Sequence, residues 1–200
     1  MCVRTPRRRR ICRIIRDNFQ CIHHRDIKPE NILVTLTGEA RLIDWGVAAQ
    51  SETAGELTGG TLAYMSTEDL IQISGLKLTT ERELQPGVQA DIFAMGILLY
   101  EVTVGDLPSS SPIVDGAIVA AAREALPGRR RLLHTIMQNS DIPAGLRQII
   151  AGCVRQPPDT EKQSAFRYRQ MTQVADDLKA YLANQRVVHV PESMLATSQR

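Results

Sequence analysis

Residues 91–103 constrain the fold more than any other stretch. They place Ile92, Phe93, Met95, Ile97, Leu98, Leu99 and Val102 on nearly every face of a helix. A helix that is apolar all round has to be enclosed by other elements rather than laid on a surface. The chain is long enough to enclose it, since 200 residues suffice for one domain with a real core. The same stretch is not read as a membrane span. Its longest apolar run, Ile92 to Tyr100, is cut by Glu101 and falls short of the roughly 18 residues a span needs.

The elements expected around that helix follow from pattern. Ile32–Val34 and Ala40–Ile43 are short β-prone runs with Thr37-Gly38 between them, which predicts a hairpin. Gly55–Gly60 reads as a flexible loop, Ser74–Gly87 as a polar surface insertion and Leu107–Pro112 as another loop. Pro143 sits at a first helical position behind Asp141 and ahead of Leu146, Ile149, Ile150 and Val154, a start signal for a helix. Met171, Val174, Leu178, Tyr181 and Leu182 fall on one face of a final helix, and residues after about Arg186 read as a tail. The expected fold class is mainly α with a small β-hairpin.

Charge is uneven along the chain. The net charge is +2, yet Arg4, Arg7, Arg8, Arg9, Arg10, Arg13 and Arg16 all precede the first acid, Asp17. Without those seven, 17 basic residues face 22 acidic ones, a balance of −5. The Arg-rich head, residues 1–13, has three readings: a nucleic-acid or nuclear-targeting patch, a transit-like segment, or a solvated start with no role. The last is preferred, so no nucleic-acid partner is expected. Cys2, Cys12, Cys21 and Cys153 form no CxxC pair, which argues against a disulfide framework or zinc site and for reduced thiols in a cytoplasmic protein.

Four motifs carry chemistry. The first is His24-Arg25-Asp26-Ile27-Lys28-Pro29-Glu30-Asn31. The second, thirteen residues after Asn31, is Asp44-Trp45-Gly46. The third is Gly60-Thr61-Leu62-Ala63-Tyr64-Met65-Ser66-Thr67-Glu68, and the fourth is Asp91-Ile92-Phe93-Ala94-Met95-Gly96. Taken singly, each has a plain structural reading: Asp26 and Asp91 as helix caps, Asn31 and Asp44 as turn residues. Taken together and in order, the first resembles the catalytic loop of protein kinases. The second resembles the metal-binding DFG motif with Trp for Phe. The third resembles the end of an activation segment with Thr67 for the Pro of APE, and the fourth the start of that family's central buried helix. The resemblance covers roughly residues 14–182, and the Arg-Tyr after Phe166 with the final helix is similar to bacterial Ser/Thr kinases.

The resemblance implies roles. Asp26 would orient or accept the proton of a protein hydroxyl, and Lys28 would place positive charge toward the transferring phosphoryl group. Asn31 and Asp44 would offer oxygen ligands to Mg²⁺ on ATP. Lys28, two residues past Asp26, matches the Ser/Thr rather than the Tyr pattern. Arg25 would pair with an activation-loop phosphate, with Ser51, Thr53 and Thr58 as acceptors. Thr61 would bond Asp26 and Lys28, and Asp91 would accept from the catalytic-loop backbone. Glu68 would pair with Arg167, or failing that with Arg155.

The pattern is incomplete. The chain contains no GxGxxG and no VAIK-type lysine, and only 23 residues precede His24, too few for the lobe that covers ATP in this family. The kinase-like lobe is therefore bounded at 14–185, with a tail at 186–200, and the upper lobe is expected in adjacent sequence or another chain. Three readings follow: a Ser/Thr kinase acting on a protein substrate with ATP and Mg²⁺, a kinase-derived module that only binds proteins, and a remnant.

Overall fold

The structure is a computed structural model that describes residues 23–45, 59–76, 86–108, 117–155 and 167–190. Its elements run β1 (Ile32–Val34), β2 (Ala40–Leu42), α1 (Gly59–Tyr64), α2 (Thr67–Ile73), α3 (Pro86–Val104), α4 (Ile118–Gln138), α5 (Ala144–Val154) and α6 (Met171–Leu182). A 3-10 turn, Pro29–Asn31, leads directly into β1. The fold is mainly helical, and among the described residues the strands form one two-stranded antiparallel sheet with Leu33 opposite Arg41. Gly38, at φ 83, closes its turn by donating to the Thr35 carbonyl at 2.9 Å, a left-handed conformation that glycine adopts without strain.

The all-round apolar helix is α3, and it occupies the centre. Ile92, Phe93 and Ile97 are fully buried, and the helix packs against α5, α6 and α1. It begins at Pro86, five residues before Asp91, because proline is suited to a first helical turn. Near its far end Val102 faces outward, 77% exposed, while Val104 packs partly buried against the core. In the segment read as a surface insertion, Gly75 and Leu76 are exposed while Ser74 and Gly87 are buried; residues 77–85 lie outside the described part. By length and composition Gly87–Val104, with mean hydropathy 1.3, is apolar enough to cross a membrane, a longer window than the run to Glu101 suggests. Half of that window is buried inside the fold, the pattern of a core helix.

The close approach of α3 and α5 depends on Gly96. A Cβ there would stand 2.5 Å from the Cys153 Cβ and 2.8 Å from the Val154 Cγ1. Burial also pushes the Cys153 thiol pKa well up, so this cysteine is an inert packing group.

Four expectations change. Gly59 and Gly60, read as loop, form the first turn of α1; residues 55–58 lie outside the described part. The sequence reading assigned no helix to 118–138, where Pro127 and Gly128 are breaking signals, yet α4 runs through both. Its buried positions Ala121, Ala122, Leu126, Arg129, Leu132 and Ile136 repeat at helical spacing, and Pro127 lies on the exposed side. Packing also continues past α6. Val187 and Val190 are buried, and the buried Asp177 accepts from the Val188 and His189 amides at 2.8 and 3.2 Å and from the Tyr168 hydroxyl at 2.8 Å. Residues 186–190 thus belong to the packed body, and Leu182, placed on the apolar face of the last helix, is 81% exposed instead.

Gly96→Ala tests the α3–α5 contact. Helix propensity alone favours Ala by about 1 kcal/mol, whereas overpacking costs about 1–3 kcal/mol. A net loss of about 1 kcal/mol in urea unfolding is expected; a gain would mean that the two helices do not meet at this point.

Candidate functional site

Residues 24–31 form a loop held from below by α3. The Asp91 carboxylate, in the second turn of that helix, accepts from the His24 amide at 2.8 Å through Oδ2 and from the Arg25 amide at 2.7 Å through Oδ1. Arg25 has φ 62, a left-handed backbone rare outside glycine, and the two charge-assisted bonds stabilise it. Ile27 is buried in the main core, in the cluster that also holds Ala63, Tyr64 and Phe93, so the loop is anchored at both sides of Asp26.

Asp26, Lys28 and Asn31 are brought together. Lys28 Nζ stands 2.9 Å from Asp26 Oδ2. Asn31, buried at the end of the 3-10 turn, donates through Nδ2 to Asp26 Oδ2 at 2.9 Å and to the Asp26 carbonyl at 2.7 Å. Both side-chain contacts therefore fall on one oxygen of Asp26. With the Asn31 amide nitrogen committed to Asp26, its amide oxygen is the atom left to act as a ligand.

The hairpin returns the chain to this loop. The Ile43 amide donates to the Asn31 carbonyl at 2.8 Å, and the Ile43 carbonyl meets His24 Nε2 at 2.8 Å. Asp44 follows at once, exposed and at φ 57, a conformation that Asp tolerates better than most residues. The His24 ring packs edge-on against Trp45 with centroids 4.8 Å apart, so buried His24 ties α3, the loop and the hairpin end together. Sequence reading quoted His24 within a motif and gave it no role of its own.

A second group is built at the start of α2. Ser66 caps α2, accepting from the Asp69 amide at 3.1 Å and donating to Asp69 Oδ2 at 2.6 Å. Burial raises the Asp69 carboxyl pKa, against the opposing pull of Ser66 and of the Arg25 charge. Thr67 takes the first helical position, where a proline is also at home, so the Thr-for-Pro exchange leaves the helix start intact. Arg167 closes on Glu68 with Nη1–Oε1 at 3.0 Å and Nη2–Oε2 at 3.4 Å, and its Nε donates to the Arg155 carbonyl at 2.6 Å. Arg155 thus supports the pair through its backbone. The Arg167 guanidinium also lies 5.4 Å from the centre of the Phe93 ring.

Two contacts escaped the sequence reading. The Tyr64 hydroxyl donates to Glu101 at 2.5 Å, and the Gly87 backbone lies against the His23 ring, where a Cβ would come within 2.1 Å of it. Neither has a local signal, because each joins residues distant in sequence. Ser51, Thr53 and Thr58 lie outside the described residues, as does the side chain of Thr61, whose backbone is in α1.

Residues 18–172 match the family model described as the protein kinase domain. The chain is 31% identical over 180 residues to a putative serine/threonine-protein kinase of Mycoplasma pneumoniae, covering 84% of this chain and 44% of that protein. It is 30% identical, with the same coverage, to a putative serine/threonine-protein kinase of Mycoplasma genitalium. A probable serine/threonine-protein kinase PknB of Lactococcus lactis is 33% identical over 136 residues, 64% of this chain and 18% of that protein. The chain thus spans less than half the length of these curated relatives.

Glu68→Ala leaves the Arg167 guanidinium, 7% exposed, without its carboxylate. A loss of about 3–5 kcal/mol in denaturant unfolding is expected. A loss under about 1 kcal/mol would be the behaviour of a solvent-screened pair.

Proposed function

The chain belongs to the protein kinase family, and we propose that it carries the catalytic loop of a Ser/Thr protein kinase, which transfers the γ-phosphoryl group of ATP to protein Ser or Thr hydroxyls. The observation that carries this reading is the Asp26–Lys28–Asn31 cluster, which sets a carboxylate, a cation and an amide oxygen side by side on a loop bonded to the central helix.

In this reading the substrate hydroxyl lies against the Asp26 oxygen that neither Lys28 nor Asn31 touches. Its oxygen bonds to the γ-phosphorus as the bond to the bridging oxygen of ADP breaks, and its proton passes to Asp26. Lys28 holds positive charge beside the equatorial oxygens, where negative charge is spread in the transition state. Its place two residues past Asp26, and the serine/threonine-protein kinase names of the relatives, support hydroxyls of Ser and Thr as acceptors.

The donor set fits magnesium. Asn31 and Asp44 provide hard oxygens, and among the described residues no cluster of three His, Cys, Asp or Glu side chains forms a self-sufficient cage. Mg²⁺ suits such a half-site, because it takes one or two protein ligands and completes its shell with phosphate oxygens and water. When bound, the ion neutralises charge on the phosphates. Arg25, exposed within the loop and near enough to Asp69 for its charge to act there, would receive an activating phosphate.

The Gly-rich loop and lysine that cover and orient ATP in this family are not among these 200 residues. Leu33, Val34, Leu36 and Trp45 are exposed along the hairpin that ends in Asp44, and an ATP-covering half supplied by further sequence or a second chain would cover them. Positioning and water exclusion supply much of the rate in phosphoryl transfer.

The 200-residue chain alone is expected to transfer no measurable label from radiolabelled ATP to a basic protein. A loss of about 4 kcal/mol in positioning already lowers the rate about a thousandfold. Fusing an upper lobe with Gly-rich loop and lysine ahead of Ile14 should restore transfer, and Asp26→Asn in the fusion should abolish it. Silence from a folded fusion would overturn the kinase reading in favour of a protein-binding module.

A further inference from the structure

Arg129 is a charged side chain in the wrong place for a charge. It lies in the middle of α4, 1% exposed, where the other inward positions are Ala121, Ala122, Leu126, Leu132 and Ile136. Burying a guanidinium costs several kcal/mol, and an apolar residue of similar volume commonly serves stability as well or better. No acid-pairing motif in the sequence announces it. Its placement therefore calls for a reason other than filling space.

Its contacts are specific. Nη2 donates to the Leu62 carbonyl at 2.8 Å and also reaches the Ala63 carbonyl. Both belong to the last turn of α1, and the final carbonyls of a helix have no intrahelical donor. The planar guanidinium also lies against the Phe93 ring, 5.3 Å from its centre, an attractive cation–π contact. Phe93 receives Arg167 as well. One aromatic ring of the central helix therefore carries two guanidinium groups: Arg167 secures Glu68, and Arg129 secures residues 62–63. Burial pulls the Arg129 pKa down to about 10, which still leaves it charged near neutrality.

The segment it holds is linked to the catalytic loop through the shared core and through charge. Ala63 and Tyr64 share a core cluster with Ile27, the neighbour of Asp26. Burial raises the Tyr64 pKa, and so do its bond to Glu101 of α3 and, least, the charge of Glu30 in the loop. We propose that Arg129 is a positioning residue, which locks residues 62–64, and through them the Asp26 loop, onto the Phe93 face of α3. Its importance for phosphoryl transfer rests on the kinase reading above; its mechanical role does not.

The test is amide hydrogen exchange on the 200-residue chain, compared with Arg129→Met and Arg129→Lys. Met keeps an apolar stem and loses every donor; Lys keeps charge and one-point donation but loses the planar fork. In Arg129→Met, amides of 62–68 should exchange about tenfold faster or more and those of 24–28 several-fold faster, with α5 and α6 within about twofold of wild type, as a local opening requires. Arg129→Lys should recover part of the protection at 62–68. Uniform acceleration through α5 and α6, or unchanged exchange at 62–68, would overturn the proposal. Should Arg129→Met fail to fold, Arg129→Lys decides alone: faster exchange confined to 62–68 and 24–28 supports it, and wild-type exchange there overturns it. No phosphoryl transfer enters this readout, so a silent kinase assay would remove the functional reading and leave this result standing.

Discussion

The rest of the site depends on one carboxylate. Asp91 presents both oxygens to consecutive backbone amides, His24 at 2.8 Å and Arg25 at 2.7 Å. Charge-assisted bonds of this kind are stronger than neutral ones, and they hold Arg25 in its left-handed conformation. With those two residues fixed, Asp26 projects beside Lys28 and Asn31, His24 reaches the Ile43 carbonyl, and the hairpin end that carries Asp44 is drawn to the same loop. A flexible loop would leave these groups to diffuse, and misplacement by about 1 Å costs heavily in positional catalysis.

The central helix serves as more than a core. Along α3, Asp91 receives the catalytic loop, Phe93 receives the guanidinium groups of Arg129 and Arg167, and Glu101 receives the Tyr64 hydroxyl. Ten residues separate Asp91 from Glu101, about 15 Å along the axis at the usual rise. One rigid rod thus holds the loop bearing Asp26 and the segment bearing residues 62–68 at fixed separation. Apolar burial keeps the rod in place, and a small number of buried polar groups set register. The chain belongs to the protein kinase family, and within its structure Arg129 adds a further contact to the same helix.

Much of this was legible in the sequence, for physical reasons. The helix through Ile92, Phe93 and Ile97 announces itself because apolar residues on every face have one use in a globular chain. The hairpin, the helix after Pro143 and the last helix carry period and turn signals. Asp26, Lys28 and Asn31 are recognisable because their spacing is local, and Asp91, Glu68 and Arg167 because each stands in a motif. What stayed hidden depends on distant pairing. Helix α4 is masked by Pro127 and Gly128, whose local preference tertiary packing overrides. Arg129 reads as one more basic residue in an Arg-rich run, and only the packing of α4 on α2 and α5 turns it inward. Residues 186–190 look like a tail until the buried Asp177 carboxylate collects their amides.

The most direct measurement is residue-resolved amide exchange at His24 and Arg25 in the ¹⁵N-labelled chain, with and without Asp91→Ala. The account predicts that both amides are protected in the wild type, His24 to the level of the α3 core. In Asp91→Ala that protection should fall by about a hundredfold or more while α5 keeps its own, since local and global opening separate in this readout. Exchange at His24 and Arg25 as fast as an open loop in the wild type, or protection that survives Asp91→Ala, would contradict it.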